Sequence, residues 1–73
     1  MKDLLKQYDF SDNNQYYDMI TESMLNGQKQ QAIEQYLAMP QQHKREFITL
    51  LINGDYDYAI SPAQIHDFIW AND

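Results

Sequence analysis

The dipeptide Asn-Gly occurs twice in this chain, at Asn26-Gly27 and Asn53-Gly54, and each copy closes an apolar run. The first run is Ile20-Thr21-Glu22-Ser23-Met24-Leu25; the second is Phe47-Ile48-Thr49-Leu50-Leu51-Ile52. Glycine just beyond the last helical residue takes the left-handed conformation that ends a helix. The same dipeptide also fills the two-residue turn of a hairpin. Which of these jobs each copy does therefore decides the fold class.

Placing residues at about 100° per position gives a run of short amphipathic helices. Met1 to Tyr8 puts Leu4, Leu5 and Tyr8 together. Ser11 or Asp12 then offers an N-cap oxygen. From Asn13 to Asn26, Tyr16, Tyr17, Ile20 and Met24 form one stripe. From Gln28 to Met39, Ala32, Ile33, Tyr36 and Met39 share a face, with Leu37 at its border, and Pro40 stops that helix or opens the next. Gln41 to Asn53 carries Phe47, Ile48, Leu50, Leu51 and Ile52 around more than half its circumference, which predicts a central helix. Ser61-Pro62 is an N-cap with proline at the first helical position, and the helix it opens holds Ile65, Phe68 and Ile69 on one side.

The competing reading is local. Tyr56, Tyr58 and Ile60 alternate with Asp55, Asp57 and Ala59, so Phe47 to Ile60 also reads as strand, Asn-Gly, strand. Against this, Leu50-Leu51-Ile52 does not alternate, Gln42 to Glu46 suits a helix, and a lone hairpin is marginal in water. The expected fold is an all-α bundle of four to five short helices in a single domain, residues 1–73. The alternative is an α+β fold with a hairpin turning at Asn53-Gly54. No internal repeat of useful length is present.

Size and charge exclude much of the functional range. A chain of 73 residues has one small core that is marginal without further support, and little volume left over for a substrate pocket. Cysteine is absent, which removes disulfides, thiolate chemistry and cysteine-bound zinc and suits a reducing compartment. No run of about 18 apolar residues exists, and the N-terminus is too polar for a signal peptide, so the expected location is the cytoplasm. The net charge of −6 opposes direct binding to a phosphate backbone.

Each chemical motif tested fails on its own terms. Asp55-Tyr56-Asp57 resembles the start of a calcium loop, but Ala59, Ile60 and His66 stand where a ligand, glycine and glutamate are required. His43 with Glu46, or His66 with Asp67, would need carboxylates from several elements to complete a metal site. Ser11 and Ser61 are explained as caps, and neither glycine belongs to a phosphate-cradling loop. No catalytic residue, cofactor or metal is therefore expected. The basic cluster Gln41-Gln42-His43-Lys44-Arg45 is a junction between helices or a contact with an acidic group.

Off-stripe apolar residues are the better lead. Trp70 falls about a third of a turn outside its helix's core stripe, near His66, and Met19 and Leu25 lie off theirs. Tryptophan, methionine and tyrosine are enriched at protein interfaces. The expected function is a small non-enzymatic module that binds another protein, or itself as a homodimer, through Trp70, His66, Tyr56, Tyr58, Met19 and Leu25. The alternative is an acidic nucleic-acid mimic that inhibits a DNA-binding or defence protein, suggested by the base-free stretches Gln7 to Gln28 and Glu46 to Asp73. Its weakness is density: only 22% of residues are charged, so the imbalance comes from missing bases rather than crowded acids. A helix-turn-helix around Gln28 to Asn53 is weaker still on such an acidic chain.

Overall fold

Helix signals of the sequence are realised one by one in the computed structural model, which describes residues 1–54 and 60–72. Five helices follow in order: α1 (Lys2–Gln7), α2 (Asn13–Leu25), α3 (Lys29–Leu37), α4 (Gln41–Asn53) and α5 (Pro62–Ala71). No strand occurs among the described residues.

The helix ends have identifiable causes. Asp12 caps α2, its Oδ1 accepting the Gln15 N–H at 3.0 Å, while the Ser11 N–H donates to Gln15 Oε1. Ser61 caps α5 in a reciprocal box: the Gln64 N–H donates to Ser61 Oγ at 3.2 Å, and the Ser61 N–H donates to Gln64 Oε1 at 2.9 Å. At the end of α2, Gly27 stands at φ 81°. Its N–H reaches Met24 O and the Gln28 N–H reaches Ser23 O, the paired bonds of a left-handed helix stop. The second Asn-Gly does the same kind of work, for α4 runs through Asn53 and Gly54 takes φ 72° with its N–H on Leu51 O. Residues 47–53 are thus helical and no hairpin turns at Asn53-Gly54. The i→i+4 period of Phe47 and Leu51 outweighs the strand propensity of the β-branched residues between them. The proposed second strand, with Tyr56 and Tyr58, lies outside the described residues. One left-handed helix stop has no glycine: Asp9, at φ 60°, ends α1 with bonds from its own N–H to Lys6 O and from Phe10 N–H to Leu5 O.

The core is aromatic. Tyr16, Tyr17, Ile20, Met24, Ala32, Tyr36, Met39, Phe47, Leu51 and Phe68 are buried. Phe47 of α4 is its hub, with ring centroids 5.5 Å from Tyr17 on α2, 5.9 Å from Tyr36 on α3 and 5.4 Å from Phe68 on α5. Tyr36 and Phe68 close the triangle at 5.1 Å. Each such ring pair adds about 0.5–1.5 kcal/mol beyond area burial. Tyr8 and Phe10 extend the cluster outward by packing on Tyr16. The Cα radius of gyration, 11.2 Å, is what a folded chain of this length should have, so the helices share one core.

Two expectations need correction. α4 is not central all round: Phe47 and Leu51 are buried and Ile48 and Leu50 are half-buried, but Ile52 is 65% exposed. On α5, Phe68 is buried and Ile65 half-buried, whereas Ile69 is 43% exposed. Both departures have one cause. The apolar arcs of α4 and α5 are wider than the contacts available to cover them, and the surplus meets on one side of the bundle.

Candidate functional site

That surplus forms a groove between α4 and α5. Two adjoining depressions share Ile69. One, about 380 Å³, is lined by Tyr36, Arg45, Ile48, Thr49, Ile69 and Asn72. The other, about 320 Å³, is lined by Ile52, Pro62, Ile65, His66 and Ile69. The helical period generates the two walls. Arg45, Ile48, Thr49 and Ile52 stand at i, i+3, i+4 and i+7 on α4; Pro62, Ile65, His66 and Ile69 repeat that spacing on α5. Seven residues of helix rise about 10 Å, so each wall is roughly two turns long.

Most polar groups of the walls are already bonded within the protein. Thr49 Oγ1 donates back to Arg45 O at 2.9 Å, leaving its methyl group for the groove. Asn72 is held at both ends, Oδ1 accepting from Lys44 Nζ at 2.8 Å and Nδ2 donating to Gln41 Oε1 at 3.3 Å. Trp70 Nε1 donates to His66 Nε2 at 2.7 Å, which requires the neutral imidazole with its proton on Nδ1. The two rings meet edge to face at 5.5 Å. Trp70, 63% exposed, thereby stands beside the groove through His66.

The residues singled out from sequence separate into three groups. Trp70 and His66 come together at the groove as their i, i+4 spacing implies. Met19 does not line the groove: it is half-buried against the core, because α2 is packed on more of its circumference than one stripe. Leu25 is 42% exposed at the end of α2 but does not line the groove. Tyr56 and Tyr58 lie outside the described residues. Ile52 and Ile69 were read as core rather than as site residues, and Arg45 was named only within the basic cluster, as a contact with an acidic group. The signal for Ile52 was present in the over-wide apolar arc of α4, whereas its pairing with Ile69 needed the helix–helix arrangement.

His43 is half-buried rather than exposed, with Nδ1 3.5 Å from the Tyr17 hydroxyl. Burial, with the neighbouring Glu46 carboxylate, pushes the Tyr17 phenol up to about 12. Burial does the same for Tyr16, to about 12, whose hydroxyl donates to Gln35 O at 2.7 Å. Among the described residues no three His, Cys, Asp or Glu side chains gather as metal ligands, and no helix is long and apolar enough to cross a membrane. No family model matches the chain, and neither curated proteins nor solved structures include a similar one.

Proposed function

We propose that this chain is a small non-enzymatic interaction module of the cytoplasm that binds another protein through the α4–α5 groove. The observation that carries this reading is the side-by-side exposure of Ile52, Ile69 and Trp70, 65%, 43% and 63% exposed, along the two groove helices. A marginal domain gains no stability from apolar side chains left in water, while a partner that covers them gains about 25 cal/mol per Å² of apolar area removed. Aromatic and isoleucine anchors beside shallow pockets are the kind of surface on which binding energy concentrates. The cysteine-free composition suits a reducing compartment.

Cross-linking in the native host, with wild type against the Ile52→Glu/Ile69→Glu pair, tests the proposal. A protein cross-linked to wild type and lost from the pair, with Leu25→Glu as a control that retains it, supports the groove. Equal capture by all three chains defeats it. Light scattering on the same proteins reports whether the partner is a second copy.

A further inference from the structure

The groove is chemically lopsided, and the asymmetry identifies its occupant. Among the described residues its Ile52–Pro62–Ile65 end is apolar apart from His66, whose Nε2 is taken by Trp70. At the other end Thr49 and Asn72 are satisfied internally, but two donors remain. Arg45 forms no ion pair among the described residues, where the pair present is Lys29–Asp67 at 3.3 Å. Tyr36, buried but for its edge on the same depression as Arg45, likewise forms no side-chain hydrogen bond there. No Asp or Glu among the described residues lines either half, although the chain carries 11 acids against 5 bases.

Resting on the reading of the groove as a binding face, we infer that it takes an amphipathic α-helix of a different protein. That helix lays apolar side chains at i, i+3 or i+4, and i+7 over Ile52, Ile65 and Ile69, and places a carboxylate at the Arg45–Tyr36 end. A helix fits because two helical ridges about two turns long, separated by a groove, are the complement of a third helix's ridge. A carboxylate fits because guanidinium binds it through paired N–H donors, and a phenol adds a further one. A second copy of this chain fits poorly. Among the described residues its groove offers an arginine and no acid to meet the first copy's Arg45, and two chains of net charge −6 repel as they approach. Long-range repulsion also acts on an acidic partner, so the carboxylate belongs on a helix that is otherwise neutral or basic.

Three designed helical peptides of about four turns each test this against the intact chain. All carry the same leucine stripe; their terminal groove-facing residue is Glu, Gln or Lys. The single tryptophan, Trp70, reports binding by its emission, and amide shifts in nuclear magnetic resonance locate the peptide. The Glu peptide should bind about fivefold tighter than the Lys peptide, with shifts on α4 and α5. Arg45→Glu, an exposed substitution checked for folding by circular dichroism, should invert that order. Tyr36→Phe should weaken the Glu peptide alone. Equal affinity across the three peptides, or no binding by any, overturns the inference. A homodimer dispersed by Ile52→Glu that excludes the peptides also overturns it, while leaving the groove an interaction face; cross-linking indifferent to Ile52 and Ile69 would instead defeat the broader reading.

Discussion

The seam between α2 and α3 and the groove between α4 and α5 are built from similar amphipathic helices yet finish differently. At the seam Tyr16, Tyr17, Ile20, Met24, Ala32 and Tyr36 are buried, and polar groups pair across it: Tyr16 Oη donates to Gln35 O, and Ser23 Oγ donates to Gln35 Oε1 at 3.0 Å. At the groove, isoleucines of both helices and a tryptophan face solvent, and an arginine stands beside them without an ion-pair partner among the described residues. The seam closes because its tyrosines carry polar tips that can be satisfied while their rings are buried. The groove stays open because no further helix of the described chain reaches it. The covered seam and the proposed binding surface thus lie apart, and substitutions should separate stability from binding.

The largest effect should come from the hub that joins the two regions. Phe47→Ala removes a fully buried ring that touches three others and should cost about 3–5 kcal/mol, enough to unfold a domain this small in a urea titration. Alkaline pH should then break the seam before the groove. Tyr16 and Tyr17 keep their protons more tightly when folded, with pKa values of about 12 against 10.0 in the unfolded chain. The stability they supply is complete below pH 10 and falls as pH rises from 10 towards 12, because the unfolded chain releases protons that the folded one retains. Melting temperatures across that interval should decline, and Tyr16→Phe should flatten the decline.

Smaller effects test the helix ends. Gly54→Ala should cost about 1–2 kcal/mol through its left-handed backbone alone, since nothing lies within 4 Å of the added methyl group. Ser61→Ala, which loses the cap of a groove helix, should cost about 1 kcal/mol. Smallest in stability is Ile52→Asp at the groove, within about 0.5 kcal/mol of wild type. The same substitution should abolish capture of the partner. A destabilisation of several kcal/mol would mean that Ile52 belongs to the core and that the contrast between the two regions is wrong.

Much of this architecture is legible in the chain because its signals are local. Asp12, Ser61-Pro62, Pro40 and both Asn-Gly pairs mark helix ends through bonds that span three to five residues, so neighbouring sequence suffices to recognise them. The end of α1, read at Tyr8 from the apolar pattern, carries no glycine marker, since Asp9 occupies the left-handed position. The candidate site is less legible. Trp70 and His66 meet because they share one helix at i, i+4. Met19 lies half-buried and away from the groove, because a helix packed on two sides partly covers residues off its main stripe.

What the sequence by itself determined is that this chain makes short amphipathic helices with defined stops, carries no thiol chemistry and bears an acidic surface. Only the tertiary structure decided which apolar residues are core and which are surplus. Ile48, Leu51 and Ile52 are equally apolar on paper, and their fates differ because burial depends on what another helix, distant in the chain, brings to within van der Waals reach. The side of α4 that Tyr17 and Phe68 reach became core, and the side that faces Ile65 and Ile69 became the groove.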